Sequence, residues 1–149
     1  MNKADLLNEL YKETYATLKP SSIHGIGVFA IRNIEKGTKN IFSSTAEAWI
    51  PVAKEEVDLL PLHSQQLIEN HCLYDDKHYF IPEYGFKLFD MVVFLNHSDQ
   101  PNLMSVNDGE YFEAIRDIGS GEELFVDYGT IVDADEWRSF YIYSCFLEE

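Results

Sequence analysis

Phe94-Leu95-Asn96-His97-Ser98-Asp99-Gln100-Pro101-Asn102 is the stretch on which the reading of this chain turns. Five polar side chains and a proline follow directly on the apolar residues 86–95. Such a segment does not make simple core, because every amide or imidazole taken out of water needs a hydrogen-bond partner. Asn, Ser and Asp can bond their own backbone in a turn, and a lone His97 is more often a bonded structural residue than a catalyst. Periodicity leaves the apolar run before it open between a short helix and a buried strand.

Two further segments share this mixture of polar or glycine positions with bulky apolar neighbours. Glu122-Glu123-Leu124-Phe125-Val126-Asp127-Tyr128-Gly129 alternates as a strand does and ends on a tyrosine beside a glycine. A buried tyrosine needs a partner for its hydroxyl, although most tyrosines serve packing. His24-Gly25-Ile26-Gly27-Val28-Phe29 places two glycines one residue apart at the entrance to a strand. That spacing lets backbone approach a ligand, and a tight turn explains it as well. The dinucleotide fingerprint is excluded, since a third glycine and a following helix are missing.

Outward from these segments, Leu6, Leu7, Leu10, Tyr11, Tyr15 and Leu18 recur at helical spacing, which predicts an amphipathic packing helix over residues 4–18 ended by Lys19-Pro20. Residues 27–31 and 39–42 read as strands around Glu35-Lys36-Gly37, as a hairpin or meander. The octet Ala30-Ile31-Arg32-Asn33-Ile34-Glu35-Lys36-Gly37 returns as Ala114-Ile115-Arg116-Asp117-Ile118-Gly119-Ser120-Gly121. Two copies are too few for a solenoid and indicate two similar strand-turn units. Residues 53–73 read as helical on both sides of Pro61, with Val57, Leu60, Leu67, Ile68 and Leu73 as core, and residues 135–146 as a packed aromatic helix. The expectation is one mainly β domain with short helices over residues 1–149: an N-terminal helix to 19, a core over 20–130 with its insert at about 53–73, and a helical segment over 131–149.

The 149 residues are 46% hydrophobic and 14% aromatic, enough for a sizeable core. No run approaches the roughly twenty apolar residues of a membrane span, and the first ten residues lack a secretory signal, so no membrane partner and an intracellular, cytoplasmic or nuclear, location are expected. Cys72 and Cys145 form no CxxC pair, which points to buried thiols in a reducing compartment. The net charge of −15 is uneven: residues 1–87 carry twelve acids and nine bases, residues 88–149 fourteen acids and two bases. Such a surface repels phosphates and attracts cations, which excludes direct nucleic-acid binding and favours a basic protein or peptide partner.

Taken in order, Gly25 and Gly27, Asn96-His97-Ser98 with Pro101-Asn102, and Glu123-Leu124 with Tyr128-Gly129 resemble the SET-domain family of protein lysine methyltransferases over about residues 20–130. The resemblance implies a β-clip fold with a pseudoknot-like C-terminal tuck, S-adenosylmethionine as cofactor, and methylation of a lysine side chain in a basic protein, histone or other. It implies that His24, Gly25, Ile26 and Gly27 with the Asn96 side chain hold the methionine part of the cofactor, that His97 fixes the adenine mainly through its backbone, and that Tyr128 is catalytic. Asp99 stands where some members have a zinc-binding cysteine, and the tail holds only Cys145, so no metal is expected. Without a zinc-bound tail, Trp137, Phe140 and Tyr141 become the candidate lid over the cofactor. Val126 replaces an aromatic that often sets the number of methyl groups, leaving that number open. The alternative is an inactive SET-like module that holds a peptide, with Val126 and the unfamiliar residues 41–47 in its favour.

Overall fold

In the computed structural model, residues 2–42, 49–83, 85–88, 90–107 and 109–131 are described. The chain opens with helix α1 (Lys3–Lys12), capped by Asn2 accepting from the Asp5 N–H. Then come strands β1 (Ala16–Pro20) and β2 (Ile26–Ala30), followed by β3 (Trp49–Ala53) and helices α2 (Lys54–Val57) and α3 (Leu62–His71). Five strands complete the order: β4 (His78–Pro82), β5 (Asn96–His97), β6 (Leu103–Val106), β7 (Tyr111–Ala114) and β8 (Glu123–Val126). The protein is mainly β with short helices, as the composition of its segments predicts.

The main sheet runs β1-β2-β8-β5. β2 lies antiparallel to β8 with Val28 opposite Leu124, while β5 lies parallel to β8 with Asn96 opposite Phe125 and His97 opposite Val126. Parallel neighbours need a long crossover, and the hairpin of β6 and β7 lies within it. Strand alternation then sorts side chains by face: Val28, Ala30, Leu124 and Val126 are buried in the core with Ile34, Leu103, Ala114 and Ile118. Burying a Val, Leu or Ile fully contributes about 1.5–3 kcal/mol, so this cluster is the main source of cohesion.

The repeated octets meet one another across a local twofold. Ile34 and Ile118 exchange both backbone hydrogen bonds, each 2.8 Å, while Gly37 N–H donates to Ala114 and Gly121 N–H to Ala30. Asn33 accepts from Ser120 N–H just as Asp117 accepts from Lys36 N–H. Gly37 and Gly121 have φ of 90° and 92°, a turn geometry that explains glycine at both places. The repeat therefore makes one clasp between two parts of the chain that are distant in sequence.

Four expectations need correction. The helix ends at Lys12, and residues 16–20 form β1, paired to β2 from Ala16↔Ala30 to Pro20↔Ile26. Pairing with β2 outweighs the helical spacing, and Pro20 is tolerated because β1 is an edge strand. Nor does α1 pack: it has no buried residue, with Leu10 57% and Tyr11 82% exposed, and Arg32 holds its end by donating to the Lys12 carbonyl at 3.0 Å. Residues 39–42 make no hairpin with β2; only Asn40 bridges, to Phe112. In the insert, Val57 and Ile68 are core, whereas Leu60 and Leu67 are each 39% exposed. The apolar stretch before Asn96 includes a 3-10 turn, Met91–Phe94. The predicted C-terminal helix and Cys145 lie outside the described residues.

Candidate active site

The parallel pairing of β5 with β8 sets the Asn-His pair beside the segment that leads to Tyr128, which follows β8 in a 3-10 turn, Tyr128–Thr130. The His97 ring is buried; its Nδ1 accepts the Tyr128 backbone N–H at 3.1 Å, which assigns the proton to Nε2 and makes that nitrogen the donor to Asp99 Oδ1 at 3.1 Å. The rings of His97 and Tyr128 lie with centroids 5.3 Å apart. The Tyr128 hydroxyl donates to the Leu95 carbonyl. Its proton is thus directed at the residue before Asn96, and its oxygen retains acceptor capacity.

Asn96, 4% exposed, donates from Nδ2 to the His24 carbonyl at 3.0 Å, which ties the Asn-His pair to the glycine segment. Asn102 fastens the same neighbourhood from behind: its Nδ2 donates to the Glu123 carbonyl and its Oδ1 accepts from the Phe125 N–H, both at 2.8 Å. It acts as a one-residue substitute for a neighbouring strand along β8. Among the described strands β5 is the last of the sheet.

Both glycines have a local reason. Gly25, at φ 48°, closes the β1–β2 turn, where its carbonyl accepts from Ser21 N–H at 2.8 Å. Gly27 leaves its Cβ position to others: a Cβ there would lie 2.2 Å from Glu123 Oε1 and 3.1 Å from Asn96 Nδ2. Ile26 between them is half-exposed. Glu123 entered the sequence reading as part of a motif, with no role at the site, and both of its carboxylate oxygens are buried without a hydrogen-bond partner among the described residues.

A cavity of about 330 Å³ opens beside Tyr128, lined mainly by apolar side chains that include Leu95, Val126, Phe112, Phe80 and Trp49. α3 and the residues after it contribute Asn70, His71, Cys72 and Leu73. Burial lowers the pKa of His71 and so favours its neutral form, and it raises that of the Cys72 thiol to about 12. Val126 and Glu123 point to opposite faces of β8 by strand alternation. The cavity and the Gly27–Asn96–Glu123 cluster therefore lie on opposite faces of the sheet, with Tyr128 at the end of the strand between them.

A sequence model of the SET domain matches residues 25–129. This chain belongs to the SET-domain family. Its solved likenesses share the SET fold. An apo form of ctPRC2 carrying mutations in Ezh2 has a TM-score of 0.54 at 21% identity, over 84% of this chain and 16% of that one. A humanized mutant of the Chaetomium thermophilum Polycomb Repressive Complex 2, bound to an inhibitor, has a TM-score of 0.53 at 22% identity, over 78% and 15%. A Plasmodium falciparum protein described as a candidate histone methyltransferase has a TM-score of 0.48 at 21% identity, over 78% and 95%. No curated protein matches the sequence.

Within this SET domain the structure brings His24, Gly25, Gly27, Asn96, His97 and Tyr128 into one neighbourhood. Trp137, with Phe140 and Tyr141, lies outside the described residues, as do residues 43–47 of the unfamiliar segment 41–47. The cavity residues of the insert were missed because nothing in their local pattern marks them; they reach Tyr128 only through tertiary packing. Among the described residues no cluster of His, Cys, Asp and Glu could hold a metal ion, and no helix is long and apolar enough to cross a membrane.

Proposed function

We propose that this SET domain is a protein-lysine N-methyltransferase that uses S-adenosylmethionine and acts on a basic protein or peptide, histone or other. The observation that carries the reading is the two-sided arrangement around Tyr128: a mainly apolar cavity on one face of the sheet, and a polar cluster of Asn96, Gly27 and Glu123 on the other. Methyl transfer is an in-line displacement, a task of positioning more than of acid-base chemistry. A site with two entrances and one polar residue between them suits it.

When bound, S-adenosylmethionine supplies a methyl group on a positively charged sulfur. His24, Gly25, Ile26 and Gly27, the Asn96 side chain and the outer backbone of His97 would hold it, with Trp137 as a further wall. The residues fit such a ligand on a structural ground: the polar cluster holds buried oxygens that lack a donor among the described residues.

On the other face, the cavity walls exclude water from an entering lysine side chain. A free lysine has a pKa of about 10.4 and is almost wholly charged at neutral pH. An apolar wall disfavours the ammonium and helps it shed its proton to solvent before transfer. At the cavity's end the Tyr128 oxygen, its own proton given to Leu95, accepts from the amine or makes weak CH contacts to the methyl. His97 holds the Tyr128 backbone, and Asp99 orients His97.

Transfer of labelled methyl from labelled cofactor to basic peptides and to lysate proteins tests the reading. Incorporation into a lysine is expected. A folded preparation that binds neither S-adenosylmethionine nor its demethylated product in calorimetry sinks the proposal. Binding without any transfer identifies a peptide-holding module instead.

A further inference from the structure

Glu123 presents a physical problem. It sits on β8 one residue from fully buried Leu124, on the face that also carries Gly27 and Phe29 of β2, and both of its carboxylate oxygens are out of contact with water and without a hydrogen-bond partner among the described residues. An ionised carboxylate buried in this state is costly, and protonation does not cure it, because the hydroxyl so formed also lacks an acceptor. The base nearest in register is Lys19, opposite Gly27 on β1, but its ammonium lies over the Phe29 ring at 5.8 Å from the centroid. Among the described residues no cation pairs with Glu123.

The space around it is shaped, not accidental. A Cβ on Gly27 would meet Glu123 Oε1 at 2.2 Å, so the carboxylate occupies room that only glycine leaves. Asn96 Nδ2 points to the same spot and is bonded to the His24 carbonyl, which leaves Oδ1 as the acceptor of that amide. The Glu123 carboxylate oxygens have no donor among the described residues, and an ammonium group with three N–H bonds is their complement.

We propose that Glu123 is a ligand-binding residue of this SET domain, its carboxylate receiving the α-ammonium of the methionine part of the cofactor beside Asn96. The assignment rests on the methyltransferase reading and adds to it a charged contact at the end of the ligand remote from the transferred methyl. The carboxylate meets the ligand after a small shift of the side chain toward the outer edge, since its oxygens are closed to solvent as they stand. The ammonium then supplies the donors the carboxylate lacks.

The test compares S-adenosylhomocysteine with the same compound carrying hydrogen in place of the α-amino group, by calorimetry on wild type and Glu123→Gln. Wild type should prefer the amino compound strongly. Glu123→Gln should bind the amino compound about ten- to a hundredfold more weakly, the scale of one hydrogen bond to a charged group, while its affinity for the desamino compound stays within about twofold. Equal losses for both ligands, or none for either, overturn the assignment and leave the methyltransferase reading standing. Failure of wild type to bind either compound removes both. Should Glu123→Gln melt early, the ¹³C shift of the Glu123 carboxyl in wild type decides: it should move on adding the amino compound and hold with the desamino one, and the same response to both overturns the proposal.

Discussion

At the scale of single residues, Tyr128 separates an enzyme from a binding module. Its hydroxyl donates to the Leu95 carbonyl while its ring lies against His97. If the oxygen contacts the amine and methyl as the transition state forms, Tyr128→Phe should cut turnover by roughly a hundredfold or more with cofactor affinity nearly unchanged. The Leu95 carbonyl loses a partner, a stability cost of about 1 kcal/mol. Turnover, affinity and melting temperature on one preparation distinguish this from a packing role, which predicts that activity falls only as stability does. Cys72 makes a second case. It is 1% exposed, and burial pushes its thiol to about 12, so almost no thiolate exists at neutral pH. Native protein should leave Cys72 unalkylated by iodoacetamide, with labelling appearing as denaturant unfolds the chain; peptide mass mapping that finds Cys72 labelled before unfolding contradicts this.

Among elements, the junction of β5 and β8 depends on Asn102, which is 1% exposed and bonded to the backbone on both sides of Leu124. Asn102→Ala leaves one buried N–H and one buried carbonyl unmet, a loss on the order of 3 kcal/mol in urea denaturation, and should weaken cofactor binding by loosening β8. A change under about 0.5 kcal/mol, the usual surface effect, shows that β8 does not need it. This bond was visible in the sequence only as an asparagine after a proline, because its partner lies twenty-one residues on. The same limit explains which elements were legible. β2 and β8 carried alternation or glycine signals of their own, and the helices around Pro61 were marked by that proline and by spacing. β1 was hidden inside a helical pattern because its identity comes from pairing with β2, and the strand read at 39–42 failed because its neighbour is Phe112, not β2. The repeated octet was legible as a repeat, whereas the clasp between its copies came only from the fold. Of the site, the segments bearing Asn96, His97 and Tyr128 were readable, but the orphaned carboxylate of Glu123 and the walls at Trp49 and His71 depend on what packs against them.

For the molecule as a whole the governing quantity is charge. The −15 net charge is concentrated after residue 87, and acids stand beside the proposed site: Asp99, its side chain 87% exposed, is bonded to His97, and Asp127 precedes Tyr128. A basic substrate should be drawn in over a distance and then held by shorter contacts, and these two contributions respond differently to salt. From about 0.1 M to about 1 M salt the Debye length falls from about 10 Å to about 3 Å, so attraction from exposed acids is largely lost while contacts inside the cavity and at the buried Glu123 are screened much less. The expectation is that the KM for a lysine-containing basic peptide rises several-fold across that range while kcat on saturating peptide and cofactor affinity hold. Titration of one peptide at several salt concentrations, with the cofactor titrated alongside, reads all three quantities. A KM that does not move with salt shows that the acidic half does not recruit the substrate, and a cofactor affinity that falls in step with it shows that the ligand's charge is met at the surface and not within the cluster at Gly27.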